Sequence, residues 1–178
     1  RLSNASVNSQ YLPGVSLTNI AVSNDLAKVI SGADWVVSAI PCSGIESLAQ
    51  ETARLMDVNA LLLSGSKGLH PVSGARSSEM WSQFGGIEPE RYVALSGPNL
   101  AREIMSSVRT STVVASVSPE SATRAQNLLN SRMFRVYTNT DLIGVELGGA
   151  LKNVVAIAAG ICDGLGFGDN AKAAIMTR

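Results

Sequence analysis

The chain has 178 residues, of which 46% are hydrophobic and 16% are charged. This composition supports a packed hydrophobic core and excludes a disordered chain. Because the formal net charge is zero, no broad basic surface is predicted, and a nucleic acid is not an expected partner.

The two cysteines and the chain ends indicate the compartment of the protein and how much of it the sequence covers. Cys42 and Cys162 belong to no CxxC pair, so we predict two buried thiols in a reducing compartment and no disulfide framework or metal site. The chain opens on Arg1 and polar residues, without an initiator Met or the apolar segment of a secretory signal. It closes at residues 175–178 on a helical pattern without a stop signal. Both ends are therefore expected to be cut.

Short apolar runs alternate with helical patterns along most of the chain. Near-continuous apolar strands are typical of a sheet that is covered on both faces, and alternation with helices favours a parallel, doubly wound α/β sheet. The connection between the third and fourth runs is short, which predicts one antiparallel pairing there. The predicted strands cover residues 35–40, 60–63, 92–95, 112–116 and 134–137, and the predicted helices cover residues 45–56, 118–129 and a short segment from about residue 100.

The pattern changes after residue 137 to one long helix, predicted from about residue 141 to residue 162. Thr138 and Asp141 have the spacing of a capping box. The helix is apolar on nearly all sides, which predicts burial, while its glycines and its charged residues Glu146 and Lys152 argue against a membrane span. We place a domain boundary near residue 138, so that residues 1–137 form one domain and residues 138–178 begin a second.

Small and polar residues follow three of the predicted strands, at residues 41–44, 66–68 and 96–101. Ligands of open α/β sheets bind at such strand ends. A helix that begins after Asn99 would direct free N–H groups at an anion, and Lys67 could bring a positive charge to a phosphate. For each loop alone, a solvated surface lysine or a simple turn at Gly97 is the favoured interpretation.

Lys152 gives a stronger signal, because it lies within an apolar helix. Burial lowers the pKa of a lysine and makes it competent for proton transfer. Gly148 lies one turn earlier on the same face and leaves room for a ligand, and Asn153 could hold a hydroxyl or an amide. A structural ion pair between Lys152 and Glu146 is equally compatible with the residues alone. Elsewhere, His70 is expected to be a surface loop residue, and Trp35 and Trp81 to be packing residues.

Six segments occur together in the order and near the spacing of one known family. They are residues 8–14 (NSQYLPG), 66–69 (SKGL), 95–101 (LSGPNLA), 134–137 (FRVY), 144–154 (GVELGGALKNV) and 163–172 (DGLGFGDNAK). Together they resemble the bacterial-type NAD(P)-dependent glycerol-3-phosphate dehydrogenases over almost the whole chain. No single segment is specific, but the combination is.

The resemblance implies a partial Rossmann-type doubly wound sheet followed by the first long helix of an all-α substrate domain. It implies hydride transfer between sn-glycerol 3-phosphate or dihydroxyacetone phosphate and NAD(H) or NADP(H), in the cytoplasm and in support of phospholipid synthesis. A homodimer is compatible with it. The choice between NADH and NADPH would be made upstream of Arg1.

The resemblance also assigns roles to individual residues. Lys152 is implied to be the catalytic residue that exchanges the proton on the C2 oxygen of the substrate. Lys67 is implied to contact both substrate and cofactor. The remaining implied contacts are those of Gly97 and Asn99 with the substrate and those of Ala101 and Tyr11 with the cofactor.

The chain departs from the family in two ways. Position 99 is usually Ser or Thr in the family and is Asn99 here, which puts that substrate contact in question. The N-terminal strand with its GxGxxG turn and most of the helical domain are missing from the 178 residues, so we predict that these residues alone are inactive.

The alternative functions are a related dehydrogenase for another hydroxy acid or sugar phosphate, and a dinucleotide-binding protein without catalysis. Lys67 and Lys152 argue against the second alternative.

Overall fold

A computed structural model describes residues 7–177, so the opening at Arg1 and the final Arg178 lie outside the described residues. The strands in this part, numbered in chain order, form a small hairpin and one five-stranded sheet. The hairpin is β1 (Val7–Asn8) and β2 (Leu12–Ser16), and the sheet is β3 (Trp35–Ser38), β4 (Leu61–Ser64), β5 (Tyr92–Ser96), β6 (Thr110–Ala115) and β7 (Phe134–Asn139).

Two of the longer helices among residues 7–177 begin at a residue whose side chain caps the first turn, Ser118 and Asp141. Ser118 caps one of them through its side chain, which accepts from the Ser121 N–H, and Pro119 occupies the first turn as predicted. The helices are α1 (Leu26–Ile30), α2 (Ile45–Leu55), α3 (Ser77–Gly85), α4 (Ala101–Met105), α5 (Pro119–Leu129), α6 (Leu142–Gly164) and α7 (Asp169–Thr177).

The five-stranded sheet follows the chain in the order β3-β4-β5-β6-β7. The pairs β3–β4, β4–β5 and β6–β7 are parallel. The pair β5–β6 is antiparallel, as the short connection predicted. The predicted α/β architecture, a mostly parallel sheet followed by one long helix, is confirmed.

Apolar residues pack on both faces of the sheet, which explains why its strands lack polar alternation. On one face, α2 and α3 pack on β4 and β5 through a cluster that includes Ile45, Trp81 and Leu62. On the other face, α5 packs through Ala125 against Val93 and its neighbours. The prediction for Trp81 as a packing residue is thus confirmed, and Trp35 is partly buried in the second cluster. Both cysteines are buried free thiols, as predicted.

The start of α6 differs from the prediction. Thr138 belongs to β7, and Asp141 is the cap, whose side chain accepts from the Gly144 N–H at 2.8 Å. The predicted capping box is therefore wrong, because the residue three positions after the true cap is a glycine without a side chain to return the bond.

The predicted burial of α6 is also wrong within the described residues. Only Leu142 and Cys162 of this helix are buried. The first turns pack on the sheet, but residues 151–157 are exposed and present apolar side chains to the surroundings. By length and composition alone α6 could cross a membrane, which is weak evidence because core helices of globular proteins meet the same criterion. The domain boundary near residue 138 stays a prediction.

Candidate active site

A cleft of about 520 Å³ lies where the ends of β4 and β5 meet the third turn of α6. The loops at these strand ends were expected to bind a ligand, and α6 closes the cleft from the other side. It contains four of the residues that the resemblance assigned to substrate or catalysis, although their roles stay predictions. The lining residues are Lys67, Ser96, Gly97, Pro98, Asn99, Leu100, Gly148, Gly149 and Lys152.

The loop after β5 is shaped by the neighbouring strand. The Thr112 hydroxyl on β6 donates to the Ser96 carbonyl at 2.9 Å. A Cβ at position 97 would lie 2.7 Å from Thr112 Oγ1 and 3.0 Å from Thr112 Cα. A side chain therefore does not fit, and Gly97 is required for this close approach. The Gly97 carbonyl turns toward the cleft and accepts from Lys67 Nζ at 2.7 Å.

The two glycines of α6 that line the cleft have different structural roles. A Cβ at Gly149 would lie 2.9 Å from Ser96 Oγ, so this glycine lets the helix approach the β5 loop closely. A Cβ at Gly148 would meet nothing within 4 Å. The space beside Gly148 agrees with the expectation that a ligand has room on this face of the helix.

Two lysines share the cleft, and the charge of Lys152 acts on Lys67. The pKa of Lys67 is lowered, first by burial and then by the positive charge of Lys152. An anion placed between two ammonium groups relieves their repulsion. The cleft is therefore electrostatically suited to a phosphorylated or carboxylated ligand.

The environment of Lys152 differs from the sequence-based expectation. The residue is exposed, and its Nζ donates to Asn153 Oδ1 at 2.7 Å. The alternative of a Lys152–Glu146 ion pair is wrong, since the Glu146 carboxylate binds Arg76 instead. Residues six positions apart point about 120° apart around a helix, so the two side chains leave α6 on different sides.

Asn99 supplies an acceptor without a partner. Its Oδ1 atom is buried and makes no hydrogen bond among the described residues. Burial of an unpaired polar atom is costly, and rotation of the Asn99 amide toward the cleft that this residue lines would let a ligand hydroxyl or amide donate to it and remove that cost. The cleft thus fits a ligand that carries both a negative group and a hydrogen-bond donor.

Three predicted residues are placed elsewhere or differently. Ala101 opens α4 beside the cleft and is not among its lining residues. Tyr11 lies on the hairpin with an exposed side chain, and its carbonyl accepts from Arg102 Nε at 3.3 Å. His70 lies in a loop, as predicted, but its side chain is only 16% exposed, beside Glu46, and its ring Nδ1 shares a hydrogen bond with the Ser73 hydroxyl. Among residues 7–177 no cluster could hold a metal ion.

A mostly parallel sheet with a ligand cleft at its strand ends defines the class of Rossmann-type α/β proteins. The family model described as NAD-dependent glycerol-3-phosphate dehydrogenase N-terminus matches residues 1–122, and the corresponding C-terminus model matches residues 141–178. The chain belongs to the NAD-dependent glycerol-3-phosphate dehydrogenase family.

Individual relatives agree with this assignment. The chain is 45% identical to glycerol-3-phosphate dehydrogenase [NAD(P)+] of Pelotomaculum thermopropionicum and 43% identical to that of Oceanobacillus iheyensis, over 96% of this chain and 50% of each relative. A glycerol-3-phosphate dehydrogenase structure from Coxiella burnetii is 32% identical with a TM-score of 0.84, over 98% of this chain and 53% of that one. One from Plasmodium falciparum is 30% identical with a TM-score of 0.86, over 98% and 49%. The chain spans about half the length of the curated relatives it matches.

Proposed function

We propose that the full-length gene product interconverts sn-glycerol 3-phosphate and dihydroxyacetone phosphate by hydride transfer with NAD(H) or NADP(H). The observation that carries this proposal is the cleft in which Lys67, Gly97, Asn99 and Lys152 meet, in a chain that belongs to a dehydrogenase family. Fold alone would not specify the reaction, because Rossmann-type sheets serve many chemistries.

The substrate fits the chemistry of the cleft. It carries a phosphate, which two cations attract, and hydroxyl groups, which can donate to Asn99 Oδ1 once the amide rotates toward the cleft. We assign Gly97 and Asn99 to substrate contacts, with Asn99 in place of the Ser or Thr of the family. The longer amide side chain keeps an acceptor at this position.

The cofactor belongs at the carboxyl ends of the parallel strands. When it is bound, its nicotinamide supplies or accepts the hydride at C2 of the substrate. We assign Lys67 to a contact with both cofactor and substrate, because it reaches the Gly97 carbonyl across the cleft. Ala101 and Tyr11 are proposed as further cofactor contacts, supported by the packing of the hairpin on α4 through Arg102.

Lys152 is proposed as the residue that transfers the proton. Its ammonium form donates a proton to the C2 carbonyl oxygen during reduction, and its neutral form accepts the hydroxyl proton during oxidation. The bond to Asn153 Oδ1 holds the amine at the rim of the cleft. Hydride and proton together balance the reduction of the carbonyl to the alcohol.

The wider setting is proposed on the same family basis. We propose a cytoplasmic enzyme that supplies glycerol 3-phosphate for phospholipid synthesis, without stable membrane insertion of α6 and with a homodimer as a candidate assembly. The first residues of α6 pack on the sheet through Leu142, and the helix contains Glu146 and Lys152, which favours a protein core over a lipid environment for this segment.

The test is NADPH oxidation with dihydroxyacetone phosphate by the full-length protein, compared between the wild type and Lys152→Ala. Loss of a positioned acid or base costs about 10²–10⁴-fold, so we expect a loss of turnover of at least that lower size with cofactor binding intact. Lys28→Ala, which removes an exposed lysine on α1, is the matched control and should keep full activity.

Each alternative result has a defined meaning. An active wild type with an equally active Lys152→Ala variant would remove the catalytic role but keep the reaction. A wild type that oxidises NADPH only with the keto form of another hydroxy acid, or with another sugar phosphate, would overturn the proposed substrate. Cofactor binding without any turnover across a substrate panel would overturn the proposed function and indicate a binding protein.

A further inference from the structure

The most fully bonded carboxylate near the cleft belongs to Glu146, which does not line the cleft. Its side chain is 7% exposed. It accepts from Arg76 Nη1 at 2.9 Å, from the Ser78 N–H at 2.8 Å, from Ser78 Oγ at 2.6 Å and from the Tyr92 hydroxyl at 3.1 Å. Four bonds, from the cap residue of α3, from α3 itself and from β5, therefore converge on one residue of α6.

These bonds define the orientation of α6 more closely than apolar packing would. Apolar contacts permit small rotations and slides, whereas charge-assisted bonds are short and directional. A buried ion pair adds little net stability, because desolvation offsets its Coulomb energy, but its loss leaves a buried charge without a partner. Burial and the adjacent Glu146 carboxylate both raise the pKa of Tyr92, so the phenol remains a donor to Glu146.

The same network continues toward the loop that carries Lys67. Ser77, which opens α3, shares a hydrogen bond of 3.1 Å between its hydroxyl and that of Ser64 at the end of β4. Ser64 Oγ in turn accepts from the Ser66 N–H at 3.3 Å. Ser77 adjoins Ser78 in the chain, so the first residues of α3 contact both Glu146 on α6 and the end of β4, the strand that leads to Lys67.

Lys152 lies on the same helix as this buried network. Six residues separate Glu146 from Lys152, which is about 9 Å along a helix axis. The first turns of α6 make its contacts with β5 and β6, so they determine how the helix lies relative to the strand ends of the cleft. The close approach of Gly149 to Ser96 sets the distance of the helix from the sheet, and Glu146 sets its rotation.

We infer that Glu146 is a positioning residue for the reaction. It holds α6 in the orientation in which Lys152 faces Lys67 and the Gly97 loop. This inference rests on the proposed function. It assigns Glu146 no contact with substrate, cofactor or the transferred proton. Its partners Arg76, Ser78 and Tyr92 act with it as one buried network.

The test compares Glu146→Gln with Glu79→Gln in the full-length protein. Both variants remove one carboxylate charge from Arg76, but Glu79 lies on α3 and makes no bond to α6. We expect Glu146→Gln to lower kcat by about 10²-fold, the size of effect that a displacement of about 1 Å produces. The dissociation constant for NADPH should stay unchanged, and Glu79→Gln should keep wild-type kcat.

The readout must separate positioning from partial unfolding. We therefore express kcat per NADPH-binding site, determined by fluorescence titration, since unfolded molecules lower the number of sites but not kcat per site. Unchanged kcat per site in Glu146→Gln, or an equal fall in Glu79→Gln, would overturn the inference. If Glu146→Gln does not fold, Tyr92→Phe removes one neutral bond to Glu146 and should lower kcat per site in the same direction. Unchanged kcat per site in this second variant would likewise overturn it.

The outcome is distinguishable from failure of the proposed function. An inactive wild-type protein would overturn the proposed reaction itself. An active wild type with a fully active Glu146→Gln variant would leave the reaction in place and remove only the role of Glu146.

Discussion

Charge coupling between two residues of the cleft can be measured directly. The pKa of Lys67 is lowered by burial and then by the ammonium of Lys152. Lys152→Ala removes the second cause, so the pKa of Lys67 should rise toward its ordinary value and stay below it. Because only the neutral amine reacts, the modification of Lys67 by a small amine-reactive reagent should need a higher pH in the variant. Peptide mass spectrometry across a pH series gives the midpoint, and an unchanged midpoint would contradict the coupling.

Gly97 is a position where the addition of one methyl group should lower the stability of the fold. In Gly97→Ala the new Cβ would lie 3.0 Å from the backbone of Thr112 on β6. Either the loop or the strand must shift, and we expect the free energy of unfolding to fall by about 1–3 kcal/mol. Denaturant titration measures the change.

Gly148→Ala supplies the control for this stability prediction. It places the same methyl group where nothing lies within 4 Å. Alanine is favoured over glycine in a helix interior by about 1 kcal/mol, so this variant should be as stable as the wild type or more so. Equal destabilisation by both substitutions would show that the Thr112 contact is not the cause.

At the scale of elements, the start of α6 depends on one side chain. Asp141 accepts from the Gly144 N–H at 2.8 Å, and a Cβ at Gly144 would collide with the Asp141 carboxylate. Asp141→Ala should lower the free energy of unfolding by about 1 kcal/mol, the usual value of such a cap. Asp141→Asn keeps an acceptor and should lose less. Thermal unfolding of the two variants at one pH makes the comparison, and equal losses would contradict the hydrogen-bond explanation.

The strands were predictable because each is a short apolar run bounded by glycine, proline or polar residues. α5 was predictable for a local reason, the Ser118–Pro119 start. The hairpin β1–β2, α1 and α3 were not predicted, whereas the helical pattern noted at the end of the chain overlaps α7. For α3, Met80, Trp81 and Phe84 do have the spacing of one helical face, but three apolar side chains among polar neighbours make a weak pattern in so short a helix.

The site was predictable in its loops and not in its connections. Strand ends of a parallel sheet meet at one edge, which is why Lys67 and Gly97 could be expected together. The partners of Glu146 lie 54 to 70 positions away in sequence, and no local spacing indicates them. From the sequence alone, the nearest positive charge, Lys152, was the candidate ion-pair partner of Glu146, whereas in the folded chain the partner is Arg76.

At the scale of the whole molecule, the second half of α6 sets the limit on what these 178 residues can do. Its exposed side chains include Leu151, Val154, Ile157 and Ile161. Such an apolar surface marks an interaction face. Lys152 lies at the start of this surface and is itself exposed.

Exposure of this kind is unfavourable for catalysis. Proton and hydride transfer benefit from a site that excludes water, because electrostatic interactions strengthen in a low dielectric. The cleft is closed on the side of the sheet by Gly97 and Ser96 but is open beside Gly148. We therefore expect the 178 residues alone to give no steady oxidation of NADPH with dihydroxyacetone phosphate.

The experiment expresses residues 1–178 and the full-length protein side by side and measures three quantities for each. Turnover should be found only in the full-length protein. Fluorescence of a hydrophobic dye should be higher for the 178 residues, because the α6 surface is accessible to it. Circular dichroism should show that both are folded, which separates an incomplete site from a failure to fold. Steady turnover by the 178 residues would show that the sheet, its loops and the first turns of α6 suffice for the reaction. The expectation that the full-length protein must exclude water from the cleft would then be wrong.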